Sequence, residues 1–93
     1  MTTVTIPIER DTIDMQCNGL TDLFIYLDSV KNTVQLYCSD QKSEEKRIQI
    51  NFIKIAKKYD FVKSDKDFWN RIIDIRIKLN KEKTKYDLIY ELE

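Results

Sequence analysis

A chain of 93 residues, 42% hydrophobic and 11% aromatic, can bury one modest core, and a single domain over residues 1–93 is expected. Its 16 basic and 16 acidic residues cancel, which argues against a dedicated duplex-DNA binder and against an acidic DNA mimic alike. With no histidine and one glycine, the usual nucleophilic triads, the common zinc sites and the glycine-rich phosphate loops have no parts to build from.

In chain order, Val4, Ile6 and Ile8 alternate with Thr3, Thr5 and Pro7, which predicts a strand with one buried face. Pro7 cannot donate to a ladder, so this is an edge strand. Ile13, Met15 and Cys17 alternate in turn and predict a second strand, closed by Asn18-Gly19 as a type I′ turn signal. Leu23, Ile25 and Leu27, then Val34, Leu36 and Cys38, read as a hairpin. Its rival is a helix over about residues 20 to 31, on the spacing of Leu20, Phe24, Leu27 and Lys31.

Residues 43 to 62 are the stretch around which the chain is organised. Ile48, Phe52, Ile55, Ala56 and Tyr59 form a helical stripe. Ser43 is a good N-cap, Glu44 and Glu45 suit a first turn, and Lys57 and Lys58 suit a last turn. A helix over about residues 44 to 59 is therefore expected, although Ile48, Ile50 and Phe52 also alternate as a strand would. On that helix Ile50 lies opposite the stripe and Ile53 to one side, among Lys46, Lys54 and Lys57. Two isoleucines among lysines on a back face suggest a contact surface, and ordinary packing of both is the plainer alternative.

Further on, Ser64 and Asp67 have the spacing of a capping box and open a short helix through Phe68, Trp69 and Ile72. Trp69 belongs at the core or its rim with its N–H satisfied. Ile73, Ile75, Ile77 and Leu79, then Tyr86, Leu88, Tyr90 and Leu92, make the clearest hairpin, with Arg76 and Lys78 set against Asp87 and Glu91. The expected order is ββββ–αα–ββ. The fold class is α+β, a small domain in which an antiparallel sheet of N-terminal strands and a C-terminal hairpin packs on one central helix and a short second helix.

Catalytic parts are scarce. Asp65-Lys66-Asp67 has carboxylates for Mg²⁺, and Glu44-Glu45-Lys46 resembles the E-x-K tail of metal-dependent nucleases, but each triplet already has a helix-capping role. No enzyme activity, cofactor or metal site is expected. Cys17 and Cys38 form no C-x-x-C; they read as reduced thiols of a cytoplasmic protein, although a 17–38 disulfide is open. No run suits a membrane span or a secretory signal. Residues 1 to 42 hold three bases and six acids, net −3, so the remainder is net +3. The richness in Lys, Ile, Asp and Tyr is the bias of an AT-rich genome, and it suggests a phage or other mobile element as the source.

Two functions fit. The first is a non-enzymatic protein-binding module, an inhibitor, antagonist or adaptor that occupies a surface of a larger partner. Ile50, Ile53, Lys54 and Lys57 are its expected contacts, and self-association is a variant. The second is a single-stranded nucleic-acid binder using Lys46, Arg47 and Lys58 with Phe24, Tyr26 and Tyr37 as stacking platforms. The order of elements is loosely similar to that of an oligonucleotide-binding barrel.

Overall fold

The structure, a computed structural model, describes residues 1–18, 22–39 and 45–93. It is an α+β domain: β1 (Thr2–Glu9), α1 (Arg10–Cys17), β2 (Asp22–Asp28), β3 (Thr33–Ser39), β4 (Glu45–Ile48), α2 (Phe52–Lys58), α3 (Asp65–Arg71), β5 (Ile72–Leu79) and β6 (Lys85–Leu92). The strands form two antiparallel sheets rather than one, in the orders β1-β6-β5 and β2-β3-β4. Their inner faces share one core with the helices, in which Leu36, Phe52, Ala56, Phe68, Leu88, Tyr90 and Leu92 are fully buried.

The first sheet follows the alternation. β1 pairs with β6 over its whole length, Thr2 against Leu92 through Glu9 against Lys85. It is an edge strand, which is why Pro7 is tolerated. β5 and β6 form the expected hairpin. A bulge between Ile72 and Asp74 leaves Ile73 49% exposed and sets Ile75 and Ile77 inward. On the outer face Arg76 reaches Glu91 at 2.9 Å, and Lys78 stands opposite Asp87. Ile89, on the same side, is 7% exposed between its ladder neighbours Thr5 and Arg76.

Residues 10–17 are a helix, not the expected second strand. Ile13 and Cys17 also lie four apart, and both are buried, while Met15 is 81% exposed. A strand would have buried all three on one face. Local bonds support the turns: Arg10 pairs with Asp14 at 2.7 Å, and Gln16 donates to the Thr12 carbonyl. Asn18 closes α1 in a left-handed conformation with φ of 50° instead of opening a hairpin. Gly19 lies outside the described residues.

β2 and β3 are the predicted hairpin, so the rival helix over residues 20 to 31 is set aside for the described part, 22–31. The central stretch divides. Its first part pairs with β3 as β4, and only residues 52–58 are helical. The alternation of Ile48 wins locally because its side chain enters the core under β3. Asn51, not Ser43, caps the helix: its side chain accepts from the Lys54 amide at 2.9 Å. Ser43 and Glu44 lie outside the described residues. α3 begins as read, with Ser64 accepting from the Asp67 amide at 3.0 Å. Asp67 reaches back to the Lys63 amide at 2.8 Å.

Candidate functional site

Where β4 ends, the sheet is incomplete. β2 pairs with all seven residues of β3, but β4 covers only Leu36 to Ser39. Beyond Ile48 the chain turns away. The Ile50 amide donates to the Ile48 carbonyl at 2.9 Å, a tight three-residue turn of the kind found at strand ends. The Gln49 amide donates to the Gln16 side chain on α1, at 2.7 Å, instead of to β3. Thr33, Val34 and Gln35 therefore have no ladder partner on the β4 side among the described residues. A hollow of about 320 Å³ opens beside them, with Arg47, Ile50 and Asn51 on its other walls.

A second hollow of about 260 Å³ adjoins it. Asn32 and Asn51 border both, and Ile53, Lys54, Lys57 and Asp65 complete the second. One wall is tied by a polar chain. The Asn32 amide nitrogen donates to Asp65 at 2.6 Å, and the Trp69 indole N–H donates to the Asn32 oxygen at 2.7 Å. Lys57 pairs with Asp65 at 2.7 Å, and the hydrogen bonds from Lys57 and then Asn32 hold the Asp65 carboxyl below its ordinary range. Asn32 has a φ of 55°, a conformation that asparagine tolerates better than most residues. Asp65 thus has a structural use, fixing the β2–β3 turn to α3. Among the described residues no group of three or more His, Cys, Asp or Glu side chains is arranged to hold a metal ion.

The four expected contacts are redistributed. Ile53 is 5% exposed, since α2 turns Phe52, Ile53 and Ala56 to the core together; the expected solvent-facing pair of isoleucines is corrected on that point. Ile50 sits in the link before α2, half-buried against the core. Lys54 and Lys57 are exposed. Nevertheless all four border the hollows, Ile50 the first and the other three the second. Sequence reasoning missed Asn32, Asn51 and the open part of β3. Asn51 carried a signal, as an N-cap residue directly before an apolar run. The open edge carried none, because it depends on where a different strand stops.

The second set is split. By register Phe24, Tyr26, Tyr37 and Arg47 share the outer face of β2-β3-β4. Phe24 and Tyr37 stack at 5.6 Å, and Tyr26 meets each edge-on at 5.4 and 5.7 Å. Lys46 faces the other side, opposite Cys38, and Lys58 lies on α2 with its ammonium 5.8 Å from the Tyr59 ring. The outer face also carries Asp22, Asp28 and Glu45, three carboxylates to one guanidinium. That local balance is unfavourable to a polyanion.

Cys17 and Cys38 are free and buried. Burial, then the hydrogen bond with Cys38, pushes the Cys17 thiol up to about 12, far from the thiolate that metal binding or nucleophilic attack needs. The Cys38 thiol donates to the Lys46 carbonyl at 3.7 Å. No described helix is long and apolar enough to cross a membrane.

No protein-family model, curated protein or solved structure matches this chain.

Proposed function

We propose that this chain is a non-enzymatic protein-binding module, an antagonist or adaptor that acts by occupying a larger partner. The observation that carries the reading is the convergence of Ile50, Ile53, Lys54 and Lys57 on two adjoining hollows beside an incomplete sheet. Concave ground that sets apolar groups such as Val34 and Ile50 among polar and charged ones is where proteins take up partners' side chains and segments. Two buried, free thiols support a reducing compartment such as the cytoplasm. The biased composition is what supports a phage or mobile-element source.

Self-association over the other edge of this sheet is disfavoured. A symmetric antiparallel pairing of β2 with a second copy, centred on Ile25, would set Asp22 opposite the copy's Asp28 at both ends. The test of the module reading is a tagged pull-down from host lysate, split into nuclease-treated and untreated halves. A stoichiometric protein that survives nuclease is the expected result; the absence of any nuclease-resistant partner removes the reading.

The clustering of Phe24, Tyr26 and Tyr37 on one open face favours a second reading, single-stranded nucleic-acid binding. It predicts binding to oligothymidylate that falls steeply with salt. No binding at low salt would remove it.

A further inference from the structure

We infer that the hollow beside Thr33–Gln35 accepts an extended, acidic segment of the partner protein, added as a short strand in line with β4. This rests on the protein-binding reading and names the mode and the chemistry of its occupant.

The backbone is the first argument. Each residue of a strand directs its N–H and C=O to one side, and successive residues alternate. Over Thr33, Val34 and Gln35, either Val34 or its two neighbours must therefore turn their main-chain groups toward the side β4 has left. β2 takes the other set across the complete β2–β3 ladder. Three residues of a guest strand span roughly 10 Å at about 3.3 Å each, which is the length of β3 that lacks a partner. The diversion of the Gln49 amide to Gln16 keeps this chain's own link from filling the place.

Charge is the second argument. The two hollows are bordered by Arg47, Lys54 and Lys57 against one carboxylate, Asp65. Lys57 and Asp65 pair with each other at 2.7 Å. Arg47 and Lys54 have no carboxylate partner among the described residues; the Gln49 amide, with its oxygen turned to the guanidinium, is a neutral acceptor for Arg47 at 3.2 Å. Arg47 thus borders the first hollow and Lys54 the second, and the carboxylates that share Arg47's face of the sheet, Asp22, Asp28 and Glu45, make no ion pair with it. An acidic side chain on the guest would meet either one, and an apolar side chain would meet the half-buried Ile50. A nucleic-acid strand meets the same cations, but the ring faces it would stack on lie on the outer face, beside Asp22, Asp28 and Glu45.

The experiment is selection of a displayed random octapeptide library on the full chain. Titration of a selected peptide into ¹⁵N-labelled protein follows, then into R47E/K54E, with dodecathymidylate as competitor. The expected peptides carry Asp or Glu alternating with apolar residues, and their shift changes centre on residues 33–35 and 47–51. Affinity should fall by at least about tenfold in R47E/K54E. Both substitutions are on exposed side chains, so an unchanged spectrum of β1-β6-β5 verifies the variant's fold. The inference is overturned by no enrichment, by peptides without acids, by shifts centred elsewhere, by equal affinity in the variant, or by displacement with dodecathymidylate. A lysate partner that R47E/K54E still retains would leave the module reading standing while removing this one.

Discussion

The two sheets have three strands each and the same antiparallel pairing, yet they are finished differently. In β1-β6-β5 the strands are eight residues long, the central β6 is paired throughout by β1, and its inner residues Leu88, Tyr90 and Leu92 are fully buried. Its outer face is closed by its own ion pairs, which leave even Ile89 shielded. In β2-β3-β4 the last strand has four residues, three of the seven residues of β3 have no ladder partner on that side among the described residues, and Tyr26 remains 59% exposed beside the stacked rings. The lesson is that one sheet supplies the frame and the other presents surface. Backbone groups left unpaired and apolar rings left uncovered are tolerated only where the remainder of the fold is already secure.

That contrast can be broken most directly in the core. Leu88→Ala in the frame should destabilise by about 2–5 kcal/mol, the usual range for truncating a buried leucine, whereas Tyr26→Ala on the open face should change urea-unfolding stability by less than about 1 kcal/mol. Comparable losses for the two would refute the division. Next in size is Asn32→Ala, which removes the bonds to Asp65 and Trp69 and leaves a non-asparagine residue at positive φ. A loss of about 1–2 kcal/mol is expected, together with faster amide exchange in β3 and no change in β6. Asn32→Gly separates the terms, since it keeps the backbone conformation while losing the same hydrogen bonds.

The tyrosine that ties β6 to α2 gives a smaller effect. Tyr90 donates to the Phe52 carbonyl at 2.9 Å inside the core, so Tyr90→Phe should cost about 1 kcal/mol by the same unfolding measurement. Alkaline pH sharpens the picture further. The Cys17 thiol titrates from 9.0 in the unfolded chain to about 12 in the fold, and burial raises Tyr90 and Tyr86 in the same direction. Between those limits the folded state keeps a proton that the unfolded state has released, so stability is full below pH 9 and falls as pH rises toward 12. Cys17→Ala should flatten part of that decline in melting temperature; an identical profile would show that the tyrosines carry it alone. The smallest effect belongs to Arg76→Gln. Loss of a partly exposed ion pair with Glu91 should cost no more than about 1 kcal/mol.

Strict alternation was legible wherever a strand had one buried face and a partner of full length. Val4-Ile6-Ile8 and Ile75-Ile77-Leu79 were of this kind, and the opposed charges at Arg76 and Glu91 even indicated register. Ile13 and Cys17 were not, because two apolar residues four apart satisfy both a strand and a helix when Met15 lies between them. Ile48 to Tyr59 failed for the same reason at greater length: two short elements in succession imitate one long helical stripe. Of the site, the residue types around Ile50 and Lys54 were visible as a concentration of apolar and basic groups, but their reason for standing together was not.

What the sequence determined by itself was the α+β class, the two hairpins and the capping of α3 by Ser64. Each of these depends on residues near one another in the chain, where periodicity and capping act directly. Only the tertiary structure decided that there are two sheets, that Ile53 is core, and that β4 stops short of Thr33. Those outcomes turn on which strand reaches which partner and on where Gln16 draws the Gln49 amide away, and contacts so distant in sequence leave no local trace.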